Sequence, residues 1–274
     1  MINGRRETAP LDSQRPNRKS ERVRLQKYLA ECGLGSRRAC ERLIDQGAVS
    51  IDGEVVSRQG VRVDPVSQSV CVQGRTVDRE VKIYVALNKP RNVVCTSRDP
   101  EGRKTVHAFL PDIHSRVYPV GRLDYPSEGL LLLTNDGEFA QALTHPRNRV
   151  QKTYRVWVDE EMEPDMLDRM IRGMTVDGER LRARAINRIH VNEKGVQYRV
   201  VLQQGRKRQI RKMVAFCHRR VKRLQRVAIG SLVLGTLPPG QIRPLNPVEV
   251  RRLFRYAGVV STASIGHRSE STVG

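Results

Sequence analysis

The chain has 274 residues and a formal net charge of +21, from 50 Lys and Arg against 29 Asp and Glu. That balance calls for a polyanionic partner, and because no apolar run approaches the roughly 20 residues of a spanning helix, nucleic acid is expected rather than a membrane. The five cysteines (Cys32, Cys40, Cys71, Cys95, Cys217) are odd in number and contain no Cys-x-x-Cys pair, which argues against a disulfide framework and a structural zinc and for a reducing, cytoplasmic location.

In chain order, residues 1–21 are rich in Arg, Pro, Ser and Asn without periodicity and read as a disordered basic arm lacking the apolar centre of a signal peptide. From Val23 the pattern turns helical. Leu25, Tyr28, Leu29 and Cys32 recur at helical spacing, and Gly33 stops the helix. Ser36 is placed to cap a second helix, Arg37–Gln46, with Ala39, Cys40, Leu43 and Ile44 inward and Gly47 as its end. Strands Ala48–Ile51 and Val55–Val56 follow, joined through Asp52-Gly53. Arg37 and Arg38 fall in the first turn of the second helix, where cations oppose the dipole. Free N–H groups there favour phosphate, so the misfit points to contact with an anion.

Beyond Val81 the chain is richer in strands. YVALNKP (84–90) is an apolar strand ended by Pro90, and Leu130–Leu133 reads as a buried strand before the turn Asn135-Asp136-Gly137. A short helix spans Glu138–Leu143. KTYRVWV (152–158) alternates like a half-buried strand, Pro164–Arg172 is helical, and Gln197–Leu202 is a further strand. Asp-Gly-Glu recurs at 52–54, 136–138 and 177–179 with irregular spacing, as turn chemistry rather than a repeat. The fold class is therefore α+β: a small helix-hairpin module, then a mixed, mainly antiparallel sheet flanked by helices. Residues 258–274 read as a flexible tail.

Residues 203–226, QQGRKRQIRKMVAFCHRRVKRLQR, hold ten Lys or Arg and no acid, the one-signed pattern of a nucleic-acid face. Aromatics are only 4% of the chain, so phosphate and shape should dominate the grip over base stacking. Against this, GRLDYPSEGLLLLTNDG (121–137) sets Asp124 beside Arg122 before four leucines. Asp124 is either a turn or salt-bridge residue, or the one chemical group of a basic cleft. Glu128 lies four residues on, but Pro126 and Gly129 break any helix that would pair the two as in a glycosidase. There is no glycine-rich phosphate loop, Ser–His–Asp order or His-rich cluster. Cys217–His218 has no second pair of metal ligands nearby. Catalysis would need neither metal nor nucleotide cofactor.

Two resemblances sharpen the reading. RLQKYLAECGLGSRRACERLIDQGAVSIDGEVV resembles the S-four-type (alpha-L) RNA-binding module, which implies an RNA-binding domain at 22–76. GRLDYPSEGLLLLTNDG resembles the signature of the pseudouridine synthases, in the branch of the RsuA and RluB ribosomal RNA enzymes. LNKP (87–90), KTY (152–154) and GRKRQIRKM (205–213) agree in order. This resemblance implies a catalytic domain at 81–257, Asp124 as the catalytic carboxylate, Tyr154 packing on the target base and Arg211 pairing with Asp124. Arg122, Arg206, Lys207, Arg208 and Lys212 are the expected RNA contacts beside Arg37 and Arg38. It implies a cofactor-free isomerase, monomeric, acting on ribosomal RNA or a ribosome-assembly intermediate. An ionised carboxylate can attack the anomeric carbon or remove the neighbouring sugar proton; both routes stay open. The rival is a non-catalytic RNA-binding assembly factor. A DNA-binding regulator would want a recognition helix and a dimer-forming segment, neither of which is evident.

Overall fold

The computed structural model describes residues 22–97, 99–192 and 195–259, which form two compact units divided between Glu80 and Val81. The expected arm 1–21 lies outside the described residues, as does the expected tail apart from Gly258 and Val259.

The first unit contains β1 (Val23–Arg24), α1 (Leu25–Glu31), α2 (Arg37–Asp45), β2 (Val49–Ile51), β3 (Glu54–Val56), β4 (Arg62–Val63), β5 (Val70–Val72) and β6 (Arg75–Thr76). Leu25, Tyr28 and Leu29 of α1 face Cys40 and Ile44 of α2 across one core, closed by Val49, Val63 and Val70. The Ser36 hydroxyl accepts from Ala39 N–H, capping α2. Asp52 and Gly53 both take positive φ, 52° and 89°, the geometry of a two-residue hairpin. That hairpin sits within a four-stranded antiparallel sheet, β3-β2-β5-β6, with β1 paired separately to β4.

The second unit opens with β7 (Tyr84–Lys89), β8 (Tyr118–Pro119), β9 (Glu128–Thr134), α3 (Gly137–Thr144) and β10 (Lys152–Val158). Next come α4 (Pro164–Arg172), β11 (Met174–Val176), β12 (Glu179–Leu181), β13 (Ala185–Asn192), β14 (Gly195–Leu202) and α5 (Gln209–Phe216). It closes with β15 (Val221–Ile229), β16 (Leu232–Val233), β17 (Ile242–Pro244) and α6 (Pro247–Tyr256).

Nine strands form one sheet in the order β13-β14-β10-β15-β9-β7-β17, with β16 beside β15 and β8 beside β9. Every pairing is antiparallel except β15 with β9, where only Gln225–Glu128 and Arg226–Gly129 are in parallel register. The sheet is thus two antiparallel halves stitched by a two-residue seam. Gly129 is required there: it has φ +103°, and a Cβ would stand 2.2 Å from the Arg226 carbonyl oxygen. Backbone approach this close excludes any side chain.

Candidate active site

A cleft of about 290 Å³ opens along this seam, lined from one half by Arg122, Asp124 and Ser127 and from the other by Lys152, Tyr154 and Arg226. The loop between β8 and β9 carries Asp124. Its carbonyl accepts from Ser127 N–H at 3.0 Å, Tyr125 C=O accepts from Asn92 N–H at 2.8 Å, and buried Leu123 donates its N–H to Cys95 Sγ. These bonds fix a half-buried aspartate whose carboxylate has no hydrogen-bonding partner among the described residues. Glu128 is withdrawn from the cleft by an ion pair with Arg223, so no second acid faces Asp124 from that position.

Tyr154 is half-buried on β10 and leans on the second half's core. Arg211 comes from α5, where three successive residues fan apart by the ~100° helical step. Gln209 turns to the preceding loop, its amide donating to Arg182 C=O and to Gln204 while its oxygen accepts from Arg206 N–H. Ile210 enters the core. Arg211 turns to the seam, donating to Val221 C=O at 3.3 Å and reaching the Ser127 hydroxyl at 3.5 Å. No ion pair joins Arg211 to Asp124 among the described residues; the guanidinium engages the Asp124 turn through Ser127. Burial and the charge of Arg208 hold Arg211 below its ordinary range, opposed by the charge of Asp124.

Arg122, Arg206, Lys207 and Arg208 are exposed along the cleft wall. Lys212 does not line it and is bound to Asp177 and Glu179. Arg37 and Arg38 are exposed in the first unit, on the capped start of α2. Three cations were not singled out from sequence. Lys152 and Arg226 line the cleft, and Lys89 is fully buried on β7. The K-T-Y and LNKP runs were the available signals for the lysines; nothing local marks Arg226. Burial pushes Lys152 down to about 8, with Arg226 adding to the fall. Lys89 is also pushed to about 8 by burial, against the opposing charges of Glu128 and Asp124. A second depression of about 780 Å³ adjoins the cleft through Thr144, Lys152 and Arg206 and adds His145, Arg149, Arg182 and Arg184. Every charged or titratable group in it is basic.

Among the described residues there is no group of three His, Cys, Asp or Glu side chains placed to hold a metal, and no helix is long and apolar enough to cross a membrane. The arrangement is a carboxylate without a hydrogen-bond partner among the described residues, in one cleft with a tyrosine and a wall of cations.

The comparisons decide what family builds such a site. The family model for RNA pseudouridylate synthase matches residues 83–216 and that for the S4 domain matches 23–68. An uncharacterised RNA pseudouridine synthase of Aquifex aeolicus is 40% identical over 238 residues, covering 86% of this chain and 96% of its own. The chain belongs to the RNA pseudouridine synthases. The ribosomal large subunit pseudouridine synthase B of Bacillus subtilis is also 40% identical, over 85% of this synthase and 96% of its own length. A crystal structure of a pseudouridylate synthase superposes with a TM-score of 0.61 at 28% identity, covering 84% of the synthase described here and 99% of that chain. The enzyme is therefore an isomerase with an RNA-binding domain of the S4 type.

Proposed function

We propose that the seam cleft converts a uridine of large-subunit ribosomal RNA to pseudouridine, with Asp124 as the catalytic carboxylate. The likeness to the Bacillus subtilis enzyme supports that choice of RNA. The observation that carries the reading is the Asp124 carboxylate, held at the cleft without a hydrogen-bond partner among the described residues and sharing that cleft with Tyr154. The reaction exchanges a bond to nitrogen for a bond to carbon within one nucleotide and needs no added atom, so a carboxylate suffices. The target base leaves its stack and lies on Tyr154, which offers a ring face. Arg211 orients the Asp124 turn through Ser127, and Arg122, Arg206, Lys207 and Arg208 hold flanking phosphates.

Residues 22–76 dock RNA through Arg37 and Arg38, and 81–257 perform the chemistry, as a monomer in the cytoplasm. Asp124→Asn is expected to lower pseudouridine formation at least ~10³-fold, with RNA affinity nearly unchanged because a carboxylate attracts no phosphate. Chemical mapping of pseudouridine on ribosomal RNA, with a binding assay in parallel, tests this. Substantial turnover by the Asn variant would remove Asp124 from the mechanism.

A further inference from the structure

The seam carries a cation that the chemistry above does not use. Arg226 is 3% exposed yet lines the cleft. Its Nε donates to Leu130 C=O at 2.7 Å, while its Nη2 is buried with no acceptor among the described residues. A buried donor without a partner is uncommon and costly, and calls for an explanation. Arg226 is directly opposite Tyr154 in the β10–β15 pairing, just past a register shift, so the two side chains are cross-strand neighbours. Lys152, two residues before Tyr154 and on the same strand face, lines the same cleft. Its Nζ has one long bond, 3.3 Å to Leu143 C=O. Neither cation has a carboxylate partner among the described residues.

A side chain this buried suits the edge of a flat ring inserted against Tyr154 better than a phosphodiester on the strand outside. Breaking the C1′–N1 bond leaves the electron pair on the uracil ring, which spreads the charge onto its two carbonyl oxygens. The ring then turns about its C6···N3 axis, exchanging N1 with C5 and one carbonyl with the other. C5 bonds to C1′, the C5 proton leaves, and N1 takes one up, so atoms and charge balance. One fixed donor serves both orientations, because the turn brings the second carbonyl to where the first had been.

We propose that Arg226, with Lys152 beside it, holds the carbonyl edge of the uracil ring and carries the negative charge of the ring once detached. This rests on the reading of the cleft as the seat of an extruded uridine. Preorganised donors aimed at developing charge are the largest lever available to a site of this kind.

The test uses full-length wild type, Arg226→Lys and Lys152→Gln in single-turnover reactions. The substrates are a large-subunit ribosomal RNA transcript and the same transcript made with 5-fluorouridine. Fluorine at C5 makes the ring a better leaving group that needs less help with its charge. Arg226→Lys is expected to slow reaction of uridine by about 10²- to 10³-fold while RNA Kd changes less than about threefold. Its penalty on consumption of 5-fluorouridine should be smaller by roughly tenfold or more, following leaving-group dependence. Lys152→Gln should show a loss of about tenfold with the same relief by fluorine. Equal losses on both substrates, or a change in Kd alone, would overturn the proposal and leave Arg226 as a packing or phosphate residue. If Arg226→Lys loses the wild-type circular dichroism spectrum, Lys152→Gln decides the matter on the same criteria. Wild type that made no pseudouridine, or an active Asp124→Asn, would instead overturn the reading of the cleft and this proposal with it.

Discussion

The two halves of the nine-stranded sheet are built differently. In the half that bears Asp124, β9 is covered on both faces: Leu130 and Leu132 enter one core, Leu131 and Leu133 another. Aromatic edges lock the first of these, with Tyr84–Phe139 centroids 4.9 Å apart and Phe139–Phe254 5.3 Å apart. In the half that bears Tyr154 and Arg211, β10 buries Val156 and Val158 on one face and leaves Arg155 exposed. Its core is filled by Met162, Met170, Met174 and Met213, flexible side chains that fit irregular gaps. A strand buried twice gives the acid loop a stiff base, while a strand buried once leaves its other face for Arg and Trp. The lesson is that neither half contains the site. It exists only where two residues of β9 and β15 run in register.

Breaking that seam should have the largest effect. Gly129→Ala sets a Cβ against the Arg226 carbonyl at a φ that alanine avoids, so a destabilisation of several kcal/mol is expected from strain and overpacking together. Urea unfolding followed by Trp157 fluorescence and by circular dichroism would read it. A stability within ~1 kcal/mol of wild type would mean that the seam gives way easily.

Two lysines sharpen the comparison, one in each half: Lys89 is fully buried and Lys152 half-buried. Lys89 donates to Pro90 C=O at 2.8 Å and Val93 C=O at 2.9 Å, whereas Lys152 has only its long bond to Leu143. Lys89→Met should lower Tm, by several degrees, because two acceptors lose their donor. Lys152→Met should leave Tm unchanged or higher. The sign with pH follows. Lys152 titrates at about 8 in the fold against 10.5 ordinarily, so the fold bears its desolvation cost below pH 8 and sheds it as pH rises toward 10.5. The Tm difference between Lys152→Met and wild type should shrink over that window, in melts at constant ionic strength. A difference independent of pH would show that the lysine's charge is not the source of the cost.

The smallest effect belongs to the exposed wall. Arg206→Ser with Arg208→Ser should reduce the salt slope of RNA binding by about 0.7–0.9 for each phosphate no longer neutralised, with no change in Tm. An unaltered slope in filter binding across salt concentrations would place the RNA elsewhere.

Much of this was legible in the sequence because the relevant forces are local. The run Leu130–Leu133 marks a strand buried on both faces, the alternation of 152–158 marks one buried on a single face, and Ser36 announces its helix by the cap it makes. The Pro164–Arg172 helix occupies its expected bounds. Helix α6 was not anticipated, although Asn246 and Glu249 spell its reciprocal cap. Strands β13 and β15 also escaped: a register shift between Arg188 and His190 breaks the alternation of β13, and Lys222, Arg223 and Arg226 mask that of β15. Placing Asp124 in a candidate site depended on four motifs in order, since an aspartate at a turn carries no chemical signal of its own.

What the sequence determined by itself was which residues are apolar, charged or turn-forming, and hence the class of fold and the sign of its partner. Asp-Gly-Glu shows where that stops. At 52–54 and 177–179 the Asp and Gly take positive φ in hairpin turns. At 136–138 the same tripeptide caps α3, because the Asp136 carboxylate accepts from Glu138 and Phe139 N–H and from the Tyr84 hydroxyl at 2.7 Å. Only the tertiary structure decided between them, since the deciding Tyr84 hydroxyl lies 52 residues away. The cleft follows the same rule. Arg226 donates to Leu130, 96 residues back along the chain, and it stands opposite Tyr154 only because β15 lies between β9 and β10. Residue identities fix what each group can do; the long-range pairing of strands fixes what it is brought to meet.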